Sequence, residues 1–264
     1  MRPVLFTIFG VEIISYGFAL GLSFLVVLTL SALRSRKEGI EPSLVIDAFL
    51  WMFIGAILGA RAFYLIQNPG KILFDHFFLF RLWRGGYSSL GGLCGGALVV
   101  VIFLKAKRKP ILNFLDLISP YLGLGIAIQK LLGCLMAGCC YGKPTDLPWA
   151  ITFEDPRTLI PVEFLGVPLH PAQIYDAILG LGIFFFIILF RDRKWMKDST
   201  TIRRPGERVL LFLILFSGGR FITDFFRGDQ FRRYLDYFSF SQLIFSLILI
   251  LTFTVYFSLK PSGK

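Results

Sequence analysis

Three short stretches carry the residues that can do chemistry. The first, Gln129–Pro144, reads QKLLGCLMAGCCYGKP and sets Lys130, Cys134, Cys139 and Cys140 at the end of an apolar run, ahead of a long polar loop. Three sulfurs invite a metal or redox reading. However, Cys-x4-Cys-Cys is not a standard zinc spacing, and no second Cys or His pair stands beside it. Adjacent cysteines close a disulfide only with strain. No metal and no cofactor is therefore expected. The thiols read first as small apolar packing residues, with a thiol site at Cys134, Cys139 and Cys140 as the alternative.

The second stretch is Gly218-Gly219-Arg220-Phe221-Ile222-Thr223-Asp224-Phe225-Phe226-Arg227. On a helix, Arg220, Asp224 and Arg227 fall at i, i+4 and i+7 and share one face. A carboxylate between two guanidiniums holds both in place while each keeps N–H donors for a phosphate. A purely structural salt bridge is the competing reading. The third stretch is His170-Pro171-Ala172-Gln173-Ile174-Tyr175-Asp176, where proline marks the first turn of a helix and Gln173, Tyr175 and Asp176 bring polar groups into it. His170 is one of two histidines and reads as either a capping or a catalytic side chain.

The elements that carry these stretches are membrane helices. The chain of 264 residues is 55% hydrophobic with 30 Phe and only 17% charged residues, which excludes an ordinary soluble domain. Runs of about 20 apolar residues match the length that a hydrocarbon core of about 30 Å demands. Seven spans are predicted, near residues 11–33, 45–67, 88–104, 112–138, 172–190, 208–226 and 240–259. The fold class is all-α, a polytopic membrane protein forming a single transmembrane helical domain over residues 1–264, with its longest exterior loop at about 139–171. The first apolar run lacks a small-residue cleavage site and reads as a retained helix.

The net charge of +11 belongs to short loops between spans, so orientation and anionic lipid explain it and nucleic acid does not. Clusters such as Lys105, Lys107, Arg108 and Lys109, or Arg191 to Arg208, place the C-terminus in the cytoplasm and the N-terminus outside. Three cations fall within spans, namely Arg61, Lys130 and Arg220. A charge at the bilayer centre costs about 2.5–3.5 kcal/mol on insertion scales, so each should face a polar cavity or a partner, or else snorkel to an interface. Glycine pairs at four-residue spacing (Gly17/Gly21, Gly55/Gly59, Gly91/Gly95, Gly92/Gly96) predict close helix packing.

Taken together these residues resemble the bacterial prolipoprotein diacylglyceryl transferases over nearly the whole chain. The resemblance is carried by Ser15-Tyr16-Gly17, Gly59-Ala60-Arg61, Phe80-Arg81-Leu82-Trp83, Asp116-Leu117-Ile118-Ser119-Pro120, Tyr141-Gly142-Lys143-Pro144, His170 to Tyr175, Gly219-Arg220-Phe221 and Asp224 to Arg227. It implies an enzyme of the bacterial cytoplasmic (inner) membrane. Such an enzyme moves the diacylglyceryl group of phosphatidylglycerol onto the lipobox cysteine of a prolipoprotein, releasing glycerol phosphate. Its partners would be phosphatidylglycerol, the prolipoprotein signal-peptide and lipobox region, and the bilayer.

The resemblance assigns catalytic roles to Arg220, Asp224, Tyr16 and His170. It assigns substrate binding to Arg61, Lys130, Gly142, Gln173, Tyr175 and Arg227. Asp224 stands where the family has glutamate. Leu90 stands at a family histidine, Cys134 and Ala137 at asparagines, Cys139 at a glutamate, and Leu131 near an arginine, with Lys130 adjacent. Two other readings follow from these replacements: a divergent relative using its own cysteines on another lipid or thiol substrate, or a non-catalytic lipid-binding relative.

Overall fold

The computed structural model describes residues 1–8, 10–68, 88–192, 205–229, 233–234 and 238–258. The Phe80–Trp83 stretch, and Arg84 to Tyr87 after it, lie outside the described residues. Strands β1 (Val4–Ile8) and β2 (Val11–Ile14) form an antiparallel hairpin. Helices α1 (Ser15–Ser35), α2 (Pro42–Gln67) and α3 (Ser89–Ala106) follow. Helix α4 (Ile111–Ile128) continues through a π-helical segment, Gln129–Cys134, into a last turn at Leu135–Ala137. Then come α5 (Ala172–Asp192) and α6 (Glu207–Thr223), with a 3-10 turn at Asp224–Phe226. Two short paired strands, β3 (Arg233–Tyr234) and β4 (Phe238–Ser239), lead into α7 (Phe240–Ser258).

The seven predicted spans correspond to α1–α7. Six helical stretches among the described residues are long and apolar enough to cross a membrane, and Gly91–Ala106 is a shorter apolar helix. The chain is therefore an all-α, multi-pass membrane protein. One boundary needs correcting: the first span was expected from residue 11, but Val11–Ile14 is a strand and the helix begins at Ser15. Gly10 adopts a left-handed conformation (φ 80°) that turns the chain, and the flanking Val and Ile residues favour the extended backbone.

The chain forms two compact units, Ser31–Phe114 and the remainder (Met1–Leu30 with Leu115–Lys264). In the Ser31–Phe114 unit, α2 and α3 cross backbone to backbone. A Cβ on Gly59 would stand 2.4 Å from the Gly91 carbonyl oxygen, and one on Gly95 would stand 2.4 Å from that of Gly55. The paired small residues thus let two helices touch where lipid supplies no hydrophobic drive to hold them together. Gly17 and Gly21, grouped with them by spacing, have nothing among the described residues within 4 Å of an added Cβ and make no such crossing there. Ser88 caps α3, accepting from the Gly91 N–H, and its own N–H donates to the Ala60 carbonyl.

In the larger unit the helices are fixed by polar groups that sequence places at their ends. Pro120 lies inside α4 and leaves the Asp116 carbonyl without its helical N–H. The Ser119 hydroxyl donates to that carbonyl instead, at 3.2 Å. The Asp116 carboxylate reaches across to α6, whose N-cap is Gly206 and has no side chain of its own. It accepts from the N–H groups of Gly206 (2.7 Å) and Val209 (2.9 Å). Ser239 and Gln242 form a reciprocal capping box at the start of α7, and Gln242 Nε2 also donates to the Phe221 carbonyl of α6. Helices α4 and α5 cross at Gly123 and Gly180, where an added Cβ would lie 2.6 and 2.5 Å from the opposing carbonyl oxygen.

Gly59→Ala is expected to destabilise the protein by about 1–3 kcal/mol through overpacking of the α2–α3 crossing. Gly17→Ala should leave stability unchanged. Thermal denaturation of the two variants in the same detergent checks this, and equal midpoints would contradict the close crossing.

Candidate active site

The site is built where α4 ends, α5 begins and α6 ends. The π-helical segment Gln129–Cys134 widens the last turns of α4, a device that re-aims the side chains it contains. Beyond Ala137 the chain reverses through two left-handed residues, Gly138 (φ 80°) and Cys140 (φ 57°). The next residues are laid between two neighbours. Lys143 N–H donates to the Phe226 carbonyl, His170 N–H to the Lys143 carbonyl, and Gly228 N–H to the Tyr141 carbonyl, each at 2.9 Å. Gly142 is bridged to Arg227, and a Cβ on it would stand within 2.6 Å of His170 Cβ, so this position admits no side chain. The Tyr-Gly-Lys, His-Pro and Phe-Arg-Gly stretches picked out from the sequence thus meet as one backbone platform.

Asp176 is the centre of the charged cluster. Its carboxylate is 2% exposed. Arg220 Nη1 donates to its two oxygens at 2.7 and 2.6 Å, Lys130 Nζ stands 2.9 Å from Oδ2, and the Thr223 hydroxyl donates to Oδ1 at 2.8 Å. Arg227 Nη1 lies 4.0 Å from Oδ2. Asp224 forms a second carboxylate, 2.8 Å from Arg220 Nη2 and 3.9 Å from Arg227 Nε. Among the described residues it receives no well-directed hydrogen bond, so charge carries that contact. Arg227 is further tied by Nε and Nη2 to the Asp229 carboxylate. The Arg220 guanidinium also sits over the Phe245 ring, 5.5 Å from its centroid.

The other predicted residues take the following places. Lys130 is paired inside the protein and does not snorkel. Gln173 is fully buried and donates from Nε2 to the Cys139 carbonyl at 2.9 Å, pinning the thiol turn to the start of α5. Tyr175 Oη accepts from Trp149 Nε1 at 3.0 Å and stands 3.3 Å from His170 Nδ1. Burial, and then the Lys143 charge, hold the His170 imidazole below its ordinary pKa, which favours its neutral form. Tyr16 opens α1 against the π-helical segment, where a Cβ on Gly133 would lie 3.6 Å from its Cα. Cys134, Cys139 and Cys140 are gathered, with their three sulfurs within 4.8 Å of one another. Arg61 is 2% exposed and belongs to the Ser31–Phe114 unit. Leu90 falls in the first turn of α3, in the same unit.

Two expectations change. Arg220, Asp224 and Arg227 do come together, but not on one continuous helix. Helix α6 ends at Thr223, Asp224–Phe226 is a 3-10 turn, and Arg227 is extended (φ −77°, ψ 137°). The carboxylate that gathers the cations is chiefly Asp176, which was read only as a polar residue of a helix start, and Thr223 supports it. The missed signal was available, because Asp176 is an intramembrane charge by the same criterion that singled out Lys130 and Arg220.

Residues 3–259 match the family model for prolipoprotein diacylglyceryl transferase. The chain belongs to this family. Among its relatives is a phosphatidylglycerol–prolipoprotein diacylglyceryl transferase of Clostridium tetani, 32% identical over 256 residues and covering 97% of both chains. Phosphatidylglycerol–prolipoprotein diacylglyceryl transferase 2 of Clostridium perfringens is 31% identical over 264 residues, covering 100% of this chain and 98% of its own. The Prochlorococcus marinus enzyme of strain MIT 9215 is 31% identical over 229 residues, covering 81% and 75%. For this member of the prolipoprotein diacylglyceryl transferase family, the charged cluster lies within the stretch matched to the family, and so do the thiols.

Removing Asp176 leaves buried cations without their counter-ion. Asp176→Ala should cost about 3–5 kcal/mol, the range for breaking a buried pair. Asp176→Glu should retain most of the stability. Parallel unfolding curves in lipid nanodiscs check this; equal loss in both variants would show that packing, and not charge, sets the cost.

Proposed function

We propose that this chain transfers the diacylglyceryl group of phosphatidylglycerol to the lipobox cysteine of prolipoproteins, at the outer face of the bacterial cytoplasmic membrane. The observation that carries the reading is the convergence of Lys130, Arg220 and Arg227 on two buried carboxylates at the end of α6. The N-out, C-in orientation suggested by the loop charges puts this end of the helices on the exterior side.

In the reaction, the lipobox sulfur attacks the glycerol carbon that bears the phosphate. A C–S bond forms, the C–O bond breaks, and its electron pair leaves on glycerol phosphate. The thiol proton is lost as the thiolate forms, because the thiolate is the nucleophile. Negative charge accumulates on the departing phosphate, so donors fixed in advance are what the transition state requires. Arg220 is immobilised by Asp176 and Asp224. Arg227 is oriented by Asp229, while its Nη1 stands beyond hydrogen-bond reach of Asp176 and offers its N–H groups to a phosphate oxygen. His170 adjoins the Gly142–Lys143 segment and Arg227 is bridged to Gly142, so a base-capable residue and a phosphate donor share one platform. Tyr16, Gln173 and Tyr175 would line the approach.

The test is mass spectrometry of a lipobox peptide incubated with the purified protein and phosphatidylglycerol. The expected product is the thioether-linked diacylglyceryl peptide. Arg227→Ala should lower its rate by about 10²–10³-fold, the usual loss on removing one transition-state donor, and Arg227→Lys should recover part of it. Binding of phosphatidylglycerol without product would instead favour a non-catalytic lipid-binding protein.

A further inference from the structure

The transferase reading leaves the three clustered thiols without a role. As packing residues they would set sulfur against carbon, yet here the sulfurs face one another. Cys134 Sγ and Cys140 Sγ are 3.8 Å apart, and Cys139 Sγ completes a triangle no wider than 4.8 Å. Lys130 Nζ donates to Cys140 Sγ at 3.2 Å, and Gln129 Oε1 lies 3.5 Å from Cys134 Sγ. Cys140 holds a left-handed backbone (φ 57°), a conformation that non-glycine residues adopt only when their surroundings impose it. Gln173 clamps the same turn through the Cys139 carbonyl.

We propose that Cys134, Cys139 and Cys140 bind one thiophilic divalent metal ion of the zinc class through three thiolates, with the fourth position open. Tetrahedral coordination with metal–sulfur bonds of about 2.3 Å sets sulfurs about 3.8 Å apart. The Cys134–Cys140 edge already has that length, and Cys139 needs to close by no more than about 1 Å to complete the face. Three S–H protons leave to solvent on binding, and no electron is exchanged. Three thiolates around a divalent ion carry one net negative charge, and the Lys130 ammonium stands against it. Linear spacing argued against such a site because standard zinc motifs use two separated pairs. The double left-handed turn at Gly138 and Cys140 folds the second and third cysteines back onto the first instead.

A covalent enzyme intermediate is a poorer use of these thiols, since a thioether formed on the protein's own cysteine has no activated bond left to transfer onward. A disulfide would employ two sulfurs and leave the third surplus. All four cysteines are free thiols in this structure.

The inference does not depend on the transferase activity, and its test does not read activity. Full-length reduced protein in detergent is passed through gel filtration with Cd²⁺ or Zn²⁺ as the probe. The expected result is one retained ion per chain, with a thiolate-to-metal charge-transfer band for Cd²⁺. That band should be lost in Cys134→Ser and Cys140→Ser and kept in Cys94→Ser. Alkylation of the unmutated protein gives a readout that no folding defect can confuse. The metal should slow labelling of Cys134, Cys139 and Cys140 by roughly tenfold or more while Cys94 reacts as before. Retention unchanged by the serine substitutions, no retention at all, or metal that leaves all four thiols equally reactive would overturn the proposal. So would a Cys134–Cys140 disulfide as the main form in membranes quenched with acid and alkylated.

Discussion

The constraint on which this structure rests is the cost of ionised groups in an apolar interior. Lys130, Arg220 and Arg227 come from α4, α6 and the segment after α6; the first two pair directly with the Asp176 carboxylate on α5, and Arg227 stands 4.0 Å from it. Unpaired, each would oppose insertion and folding. Paired, they lock the ends of three helices in one arrangement. A buried ion pair is weak evidence for stability, since apolar residues of the same volume often serve as well. Its retention in a cluster with two carboxylates, a threonine hydroxyl and an aromatic face points to a task that needs the charge itself. Recognition of a lipid phosphate is the task we propose for it.

The backbone makes the cluster possible. Glycines at 123 and 180 bring α4 and α5 close enough for Lys130 to meet Asp176, and the Asp116 cap fixes the start of α6, whose other end carries Arg220. The Ser119 hydroxyl repairs the helix where Pro120 interrupts it. Gly142 lets His170 and Arg227 approach opposite sides of one strand-like segment. A larger residue there would collide with the His170 backbone and Cβ. Charge placement, helix crossing and loop path are therefore one problem with one solution.

Hydropathy made the helices legible, because the bilayer imposes a length and a composition that few other settings require. The opening hairpin was not legible, since Val11–Ile14 runs directly into the apolar residues of α1 and only Gly10 marks the turn. The Arg220, Asp224, Arg227 group was found by helical periodicity. The three side chains do come together although the helix stops at Thr223, because a 3-10 turn followed by an extended residue returns Arg227 to the same neighbourhood. Asp176 was underrated because a polar residue near a helix start has an ordinary explanation in capping. The thiol cluster could not be read from spacing, because it depends on a left-handed cysteine, which no sequence pattern announces.

The central claim, that the cations held by Asp176 and Asp224 receive the phosphate of phosphatidylglycerol, can be measured directly. Solid-state NMR can detect dipolar coupling between the lipid ³¹P and ¹⁵N-labelled arginine side chains in proteoliposomes. A charge-assisted hydrogen bond places phosphorus about 4 Å from the donating nitrogen. The expected result is dephasing of a guanidinium signal by phosphatidylglycerol that disappears in Arg227→Ala. Dephasing that persists unchanged in that variant, or none in the unmutated protein, would contradict the claim.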